Sequence, residues 1–114
     1  MKPNQKNGTT KKTQKDALTV RVDGDLVSTT TASVRGDIDR LLASMDDPWP
    51  AGTTLQLDLA RAKMIDSMGL NLVVSLLKAA QKQGGRLRVA YADANVLRIL
   101  TFTRLDKQLE LVKV

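Results

Sequence analysis

Leu18-Thr19-Val20-Arg21-Val22 alternates apolar and polar side chains, the period of a strand with one buried face. Asp23-Gly24-Asp25 reads as a turn, and Leu26-Val27 opens a second short strand before the cap-forming run Ser28-Thr29-Thr30-Thr31. Val34, Ile38, Leu41, Leu42 and Met45 then share one helical face, which Gly36 weakens by no more than about 1 kcal/mol. Asp46-Asp47-Pro48-Trp49-Pro50 ends that helix, because proline neither continues a helix nor leaves its predecessor helical. Leu55, Leu57 and Leu59 line one face of a strand over 54–59, and a second helix runs from about Met68 to Gln83, where Gly84-Gly85 stops it. Arg86-Leu87-Arg88-Val89-Ala90-Tyr91 alternates again. Asp93 caps a short helix carrying Val96, Leu97 and Leu100, and Leu109-Glu110-Leu111-Val112 is a last strand.

The order is β-β-α-β-α-β-α-β, so the pattern predicts a single α/β domain with an open sheet of four to five strands and right-handed crossovers. The hairpin-like opening predicts a mixed sheet. In such folds ligands and partners use strand ends and the loops that lead into helices.

Composition narrows the chemistry. Histidine and cysteine are both absent from the 114 residues. That excludes disulfides, thiolate chemistry and any Ser-His-Asp triad, and it removes the commonest general base and metal ligand. The 12 acidic residues, all but Glu110 aspartates, form no obvious ligand cluster in the sequence. Neither an enzyme nor a cofactor is indicated. The lack of cysteine also fits a reducing cytoplasm. No apolar run is long enough to cross a bilayer, and the first residues lead into no secretory leader.

The net charge of +6 belongs to one end. Residues 1–15 carry Lys2, Lys6, Lys11, Lys12 and Lys15 and no acid, while 16–114 hold 13 basic and 12 acidic side chains and are nearly neutral. The expected organisation is a flexible basic tail over 1–15 and one domain over 16–114. Weak tail contact with nucleic acid or another acidic surface is the sharper reading of those lysines. Trp49, Tyr91 and Phe102 are the only aromatics and are scattered, so no base-stacking platform is indicated.

Asp66-Ser67-Met68-Gly69-Leu70 stands where the second helix begins. Ser67, or Asp66 beside it, is a natural N-cap, and a phosphate on Ser67 would sit at the positive end of the helix dipole. Advancing about 100° per residue, Leu70, Val73, Val74 and Leu77 form one arc that faces the sheet. Met68 and Leu72 then point away from it, beside the serine, as apolar contacts for a partner.

With this loop on this framework, the chain resembles the STAS domain, the family of bacterial anti-sigma factor antagonists, over about residues 16–114. The segments that carry the resemblance are Leu55-Gln56-Leu57-Asp58-Leu59, Ile65-Asp66-Ser67-Met68-Gly69-Leu70, Gly84-Gly85-Arg86-Leu87, and Val96-Leu97-Arg98-Ile99-Leu100 with Leu105. The resemblance implies a phosphorylation-controlled binding module. A serine protein kinase that is also the anti-sigma factor phosphorylates Ser67, binds the unphosphorylated form and releases the phosphorylated one, and a serine phosphatase resets the cycle. The expected partner-binding residues are Asp25, Asp66, Ser67, Met68, Gly69 and Leu72. The alternative is a scaffold subunit of a transport or other regulatory complex, in which Ser67 is only a helix cap. Three positions depart from the family pattern: Met68 where serine or threonine is common, Val27 in place of the first turn's last aspartate, and Arg104 where a glycine usually precedes the leucine.

Overall fold

The computed structural model describes residues 17–114. The basic tail predicted over 1–15 lies outside the described residues. The elements are β1 (Ala17–Arg21), α1 (Thr31–Ala43), β2 (Thr54–Leu59), α2 (Ser67–Lys82), β3 (Arg86–Tyr91), α3 (Ala94–Phe102), a 3₁₀ turn (Leu105–Lys107) and β4 (Glu110–Lys113).

The strands lie in the order β1-β2-β3-β4, and all three pairings are parallel. The α/β single domain is therefore as expected, but the sheet is parallel rather than mixed. The reason is local. Only Asp23-Gly24-Asp25 offered a hairpin, and only two apolar residues follow it before the cap-forming run. Leu26 does not turn back along β1. It makes a single parallel bridge with Ile65, on the loop after β2.

Right-handed crossovers between strands that neighbour one another in chain order leave the helices on one face of the sheet. The side chains agree: Leu55, Leu57 and Leu59 are buried, whereas Gln56 and Asp58 between them are partly exposed. On the partly polar side, Arg88 pairs with Glu110 at 3.3 Å and donates to Gln56 Oε1 at 3.3 Å, bridging β2, β3 and β4. The core is aliphatic, with Leu26, Leu55, Leu57, Leu59, Leu72 and Leu87 all but sealed from solvent.

The strand N-terminal end is closed by Trp49, which is buried and whose backbone N–H donates to Gln83 Oε1 at 2.9 Å. The sequence departure at Arg104 has a backbone counterpart: φ is 64° there, the left-handed region that glycine enters at least cost.

Candidate functional site

Two loops meet at the strand C-terminal end and build the site. One leaves β1 and carries residues 22–30; the other leaves β2 and carries residues 60–66. They are zipped by backbone bonds, Leu26 N–H to the Met64 carbonyl at 3.0 Å and Asp66 N–H to the Leu26 carbonyl at 3.2 Å. Two carboxylates reinforce the zip from opposite sides. Asp25 Oδ1 accepts the Lys63 N–H at 2.8 Å, and Asp66 Oδ2 accepts the Ser28 N–H at 2.8 Å. Short acidic side chains suit this work because they reach backbone donors close by.

Asp66 has a second bond. Its Oδ1 accepts the Gly69 N–H at 3.0 Å, which makes it the N-cap of α2. The alternative that Ser67 serves as the cap is thereby corrected. An aspartate with extended backbone directly before the first turn is well placed to accept from N3, and that leaves the serine behind it free of the duty. Ser67 is the first residue of α2 and is exposed, and its hydroxyl makes no hydrogen bond among the described residues.

The Gly69 N–H holds the Asp66 carboxyl below the usual carboxylate range, against an opposing desolvation effect and with further help from the Ser28 and Met68 N–H groups. The folded pKa is thus lower than the unfolded one. The stabilisation is complete above the unfolded value of about 3.9 and is lost as pH falls through the lower folded value. Thermal melts between neutral pH and the acid limit are therefore expected to show a loss of stability at the acid end that is smaller in Asp66→Asn. Equal acid sensitivity in both proteins would contradict this role.

The structure brings Asp25, Asp66, Ser67 and Met68 together at this end of the sheet, but it removes two residues from the expected contact set. Leu72 is 1% exposed and packs in the core, so the expectation that it points outward is corrected. Gly69 is also buried, on the inner side of the first turn, where a Cβ would lie 2.2 Å from the Leu26 carbonyl oxygen. The buried stripe of α2 is Gly69, Leu72, Val73, Leu76, Leu77 and Ala80, and Leu70 and Val74 lie at its margin.

Met64 takes the place that Leu72 loses. It is 47% exposed and Met68 is 50% exposed, so two flexible thioether side chains stand on either side of Ser67 in the chain. The signal in the sequence was a large apolar residue directly after Lys63, in a loop that also carries Arg61 and Asp66. At Val27, where the family turn often has aspartate, the backbone does the shaping: its carbonyl accepts the Thr30 and Thr31 N–H groups at 2.8 and 2.9 Å.

Among the described residues no group of three or more acidic, histidine or cysteine side chains is gathered to hold a metal. Two surface cavities, one beside Leu77, Arg86 and Leu109 and one beside Leu18, Leu41 and Pro50, lie at the opposite end of the sheet. The arrangement at Ser67 is an exposed serine flanked in the chain by two exposed methionines, Met64 and Met68. That geometry suits contact with another protein.

A family model for the STAS domain matches residues 9–113. Among solved structures, the chain is similar to a crystal structure of a Thermotoga maritima protein assigned as an anti-sigma factor antagonist, with 20% identity and a TM-score of 0.74 over 90% of this chain and 84% of that one. An NMR structure of the same protein aligns with 19% identity and a TM-score of 0.69 over 100% of this chain and 87% of that one. At these identities the likeness is one of fold. No helix among the described residues is long and apolar enough to cross a membrane.

Proposed function

The chain belongs to the STAS domain family, and from that membership we propose that it is an anti-sigma factor antagonist that acts as a phosphorylation-controlled, non-enzymatic binding module in the cytoplasm. Its partner is a serine protein kinase that is also the anti-sigma factor. Unphosphorylated, the chain binds that kinase and frees the kinase's client. The γ-phosphoryl of ATP then passes to Ser67 Oγ, ADP leaves, the hydroxyl proton goes to the kinase, and the partner is released. A serine phosphatase reverses the modification.

One observation supports this reading most: Ser67 is exposed on the first turn of α2 while Asp66 does the capping. A hydroxyl that does not cap the helix can be modified without unfolding it. Negative charge is also favoured at that helix end, so the phosphoprotein keeps its fold. Its docking face, however, gains about −1.5 to −2 charges between Met64 and Met68. Burying that charge in an apolar contact opposes association, and every 1.4 kcal/mol of opposition is about a tenfold weaker complex.

The test is phosphorylation by a candidate serine kinase of the histidine-kinase ATPase fold from the same genome, with ATP and intact-mass detection. One phosphate is expected on the wild type and none on Ser67→Ala. A phosphate that persists in Ser67→Ala would sink the assignment. The scaffold alternative predicts no phosphate at all.

A further inference from the structure

The next step rests on the reading of Ser67 as the phosphorylated residue. Asp66, its neighbour, holds two elements at once: Gly69 of α2 through Oδ1 and Ser28 of the β1–α1 loop through Oδ2. Ser28 and Thr29 are exposed, so this loop borders the docking face. We propose that Asp66 is a positioning residue that carries the Ser67 phosphate signal to the β1–α1 loop: phosphorylation frees the Ser28 N–H from the Asp66 carboxylate and loosens Ser28 and Thr29 at the edge of the docking face.

A phosphate on Ser67 and the Asp66 carboxylate compete for donors. The first turn of a helix offers a few unpaired N–H groups, and in the unmodified protein the Asp66 carboxylate accepts that of Gly69. A phosphate on the adjacent residue brings three strong acceptor oxygens and a larger charge to the same donors. Two anions side by side repel, and the weaker acceptor is displaced or takes up a proton. Either outcome alters the bond to Ser28. The other charged groups of the two loops offer no ready relief. The carboxylate of Asp25 is committed to the Lys63 N–H, and Arg61 pairs with Asp23 at 3.3 Å, which leaves the Lys63 ammonium as the nearest cation in sequence.

The same geometry sets the extent of the change. Leu26 N–H to Met64, Asp66 N–H to Leu26 and Lys63 N–H to Asp25 do not involve the Asp66 carboxylate. The root of the β1–α1 loop therefore stays fixed, as does Thr30, whose Oγ1 accepts the Val27 N–H at 3.0 Å and donates to the Asp25 carbonyl at 2.7 Å, so the release is confined to Ser28 and Thr29. Phosphorylation is then read twice by a partner, as charge at α2 and as altered order at Ser28 and Thr29.

The experiment needs no partner. Phosphoserine is installed at position 67 during translation, and the protein is compared with its unmodified form by NMR. The Ser28 amide is expected to shift and to exchange with solvent about tenfold faster, with the Leu26 and Lys63 amides unchanged. The Asp66 carboxyl is expected to titrate at higher pH with the phosphate than without it. In Asp66→Asn, which lacks the charge that responds, installed phosphoserine should leave the Ser28 amide almost where it was. If Met68 and Gly69 respond to phosphoserine while Ser28 keeps its shift and exchange rate in the wild type, the inference is overturned. The wild-type comparison decides alone should Asp66→Asn fail to fold. Failure here would leave the kinase experiment untouched, because that experiment asks only where the phosphate is added.

Discussion

Gly69→Ala is expected to destabilise the protein by about 3 kcal/mol, the upper part of the range for forcing a methyl group into a packed position. The added Cβ would fall 2.2 Å from the Leu26 carbonyl oxygen, 3.1 Å from the Leu26 carbonyl carbon and 2.8 Å from Ile65 Cγ2. Two of these atoms are backbone, held by the Asp66 N–H and by the Leu26–Ile65 bridge, so neither swings aside as a side chain would. The first turn of α2 has to lift, and the two loops that it clamps have to part. The matched control is Gly36→Ala in α1, where the nearest atom to the new Cβ is the Arg40 guanidinium at 3.7 Å. There alanine is expected to stabilise by about 0.5–1 kcal/mol, through better helix propensity and a less flexible unfolded chain. Urea unfolding of both variants checks the pair. Similar midpoints for the two would show that α2 does not sit this tightly on Leu26.

Much of this was legible in the pattern of the chain. The alternation at 54–59 and 86–91 gave β2 and β3 directly, because Leu55, Leu57 and Leu59 alternate with Gln56 and Asp58, and Leu87 and Val89 with Arg86 and Arg88, before β3 becomes buried on both faces at Ala90. Gly84-Gly85 marked the end of α2, although the observed reason for Gly85 is tertiary: a Cβ there would stand 2.7 Å from the Trp49 ring. Strand direction was less legible. Leu26 reads as a strand in isolation, and only its bridge partner Ile65, on the loop after β2, decides which way it runs.

The phase of α2 was the harder case. The arc Leu70-Val73-Val74-Leu77 centres near Leu70 only when Leu72 and Leu76 are left out of it. With those two leucines included the apolar direction already turns toward Val73, and Gly69 joins the buried stripe there by its smallness. No hydropathy pattern registers a glycine chosen for close approach to a carbonyl. The choice of Asp66 over Ser67 as the cap was equally invisible, since both are good capping residues and only backbone geometry separates them.

That rotation of α2 can be tested with two substitutions expected to act oppositely. Leu72→Ala removes most of a side chain that is 1% exposed, beneath a helix already fixed at Gly69, so the cavity closes poorly. The expected loss is about 3 kcal/mol of stability, within the range for buried leucines, with a fall in melting temperature of about 12 °C for a domain of this size. Met68→Ala removes a half-exposed side chain from the same helix and is expected to change stability by less than about 0.5 kcal/mol. Binding should rank them the other way. Calorimetry against the kinase that modifies Ser67 is expected to show about tenfold weaker affinity for Met68→Ala, the cost of losing one good apolar contact. Leu72→Ala, held well below its own melting temperature, should bind nearly as the wild type does. A Leu72→Ala protein as stable as its parent would mean that this side chain faces outward after all. Full affinity in Met68→Ala would move the docking face off the first turn of α2, and the charge argument for Ser67 would then have no apolar contact to disrupt.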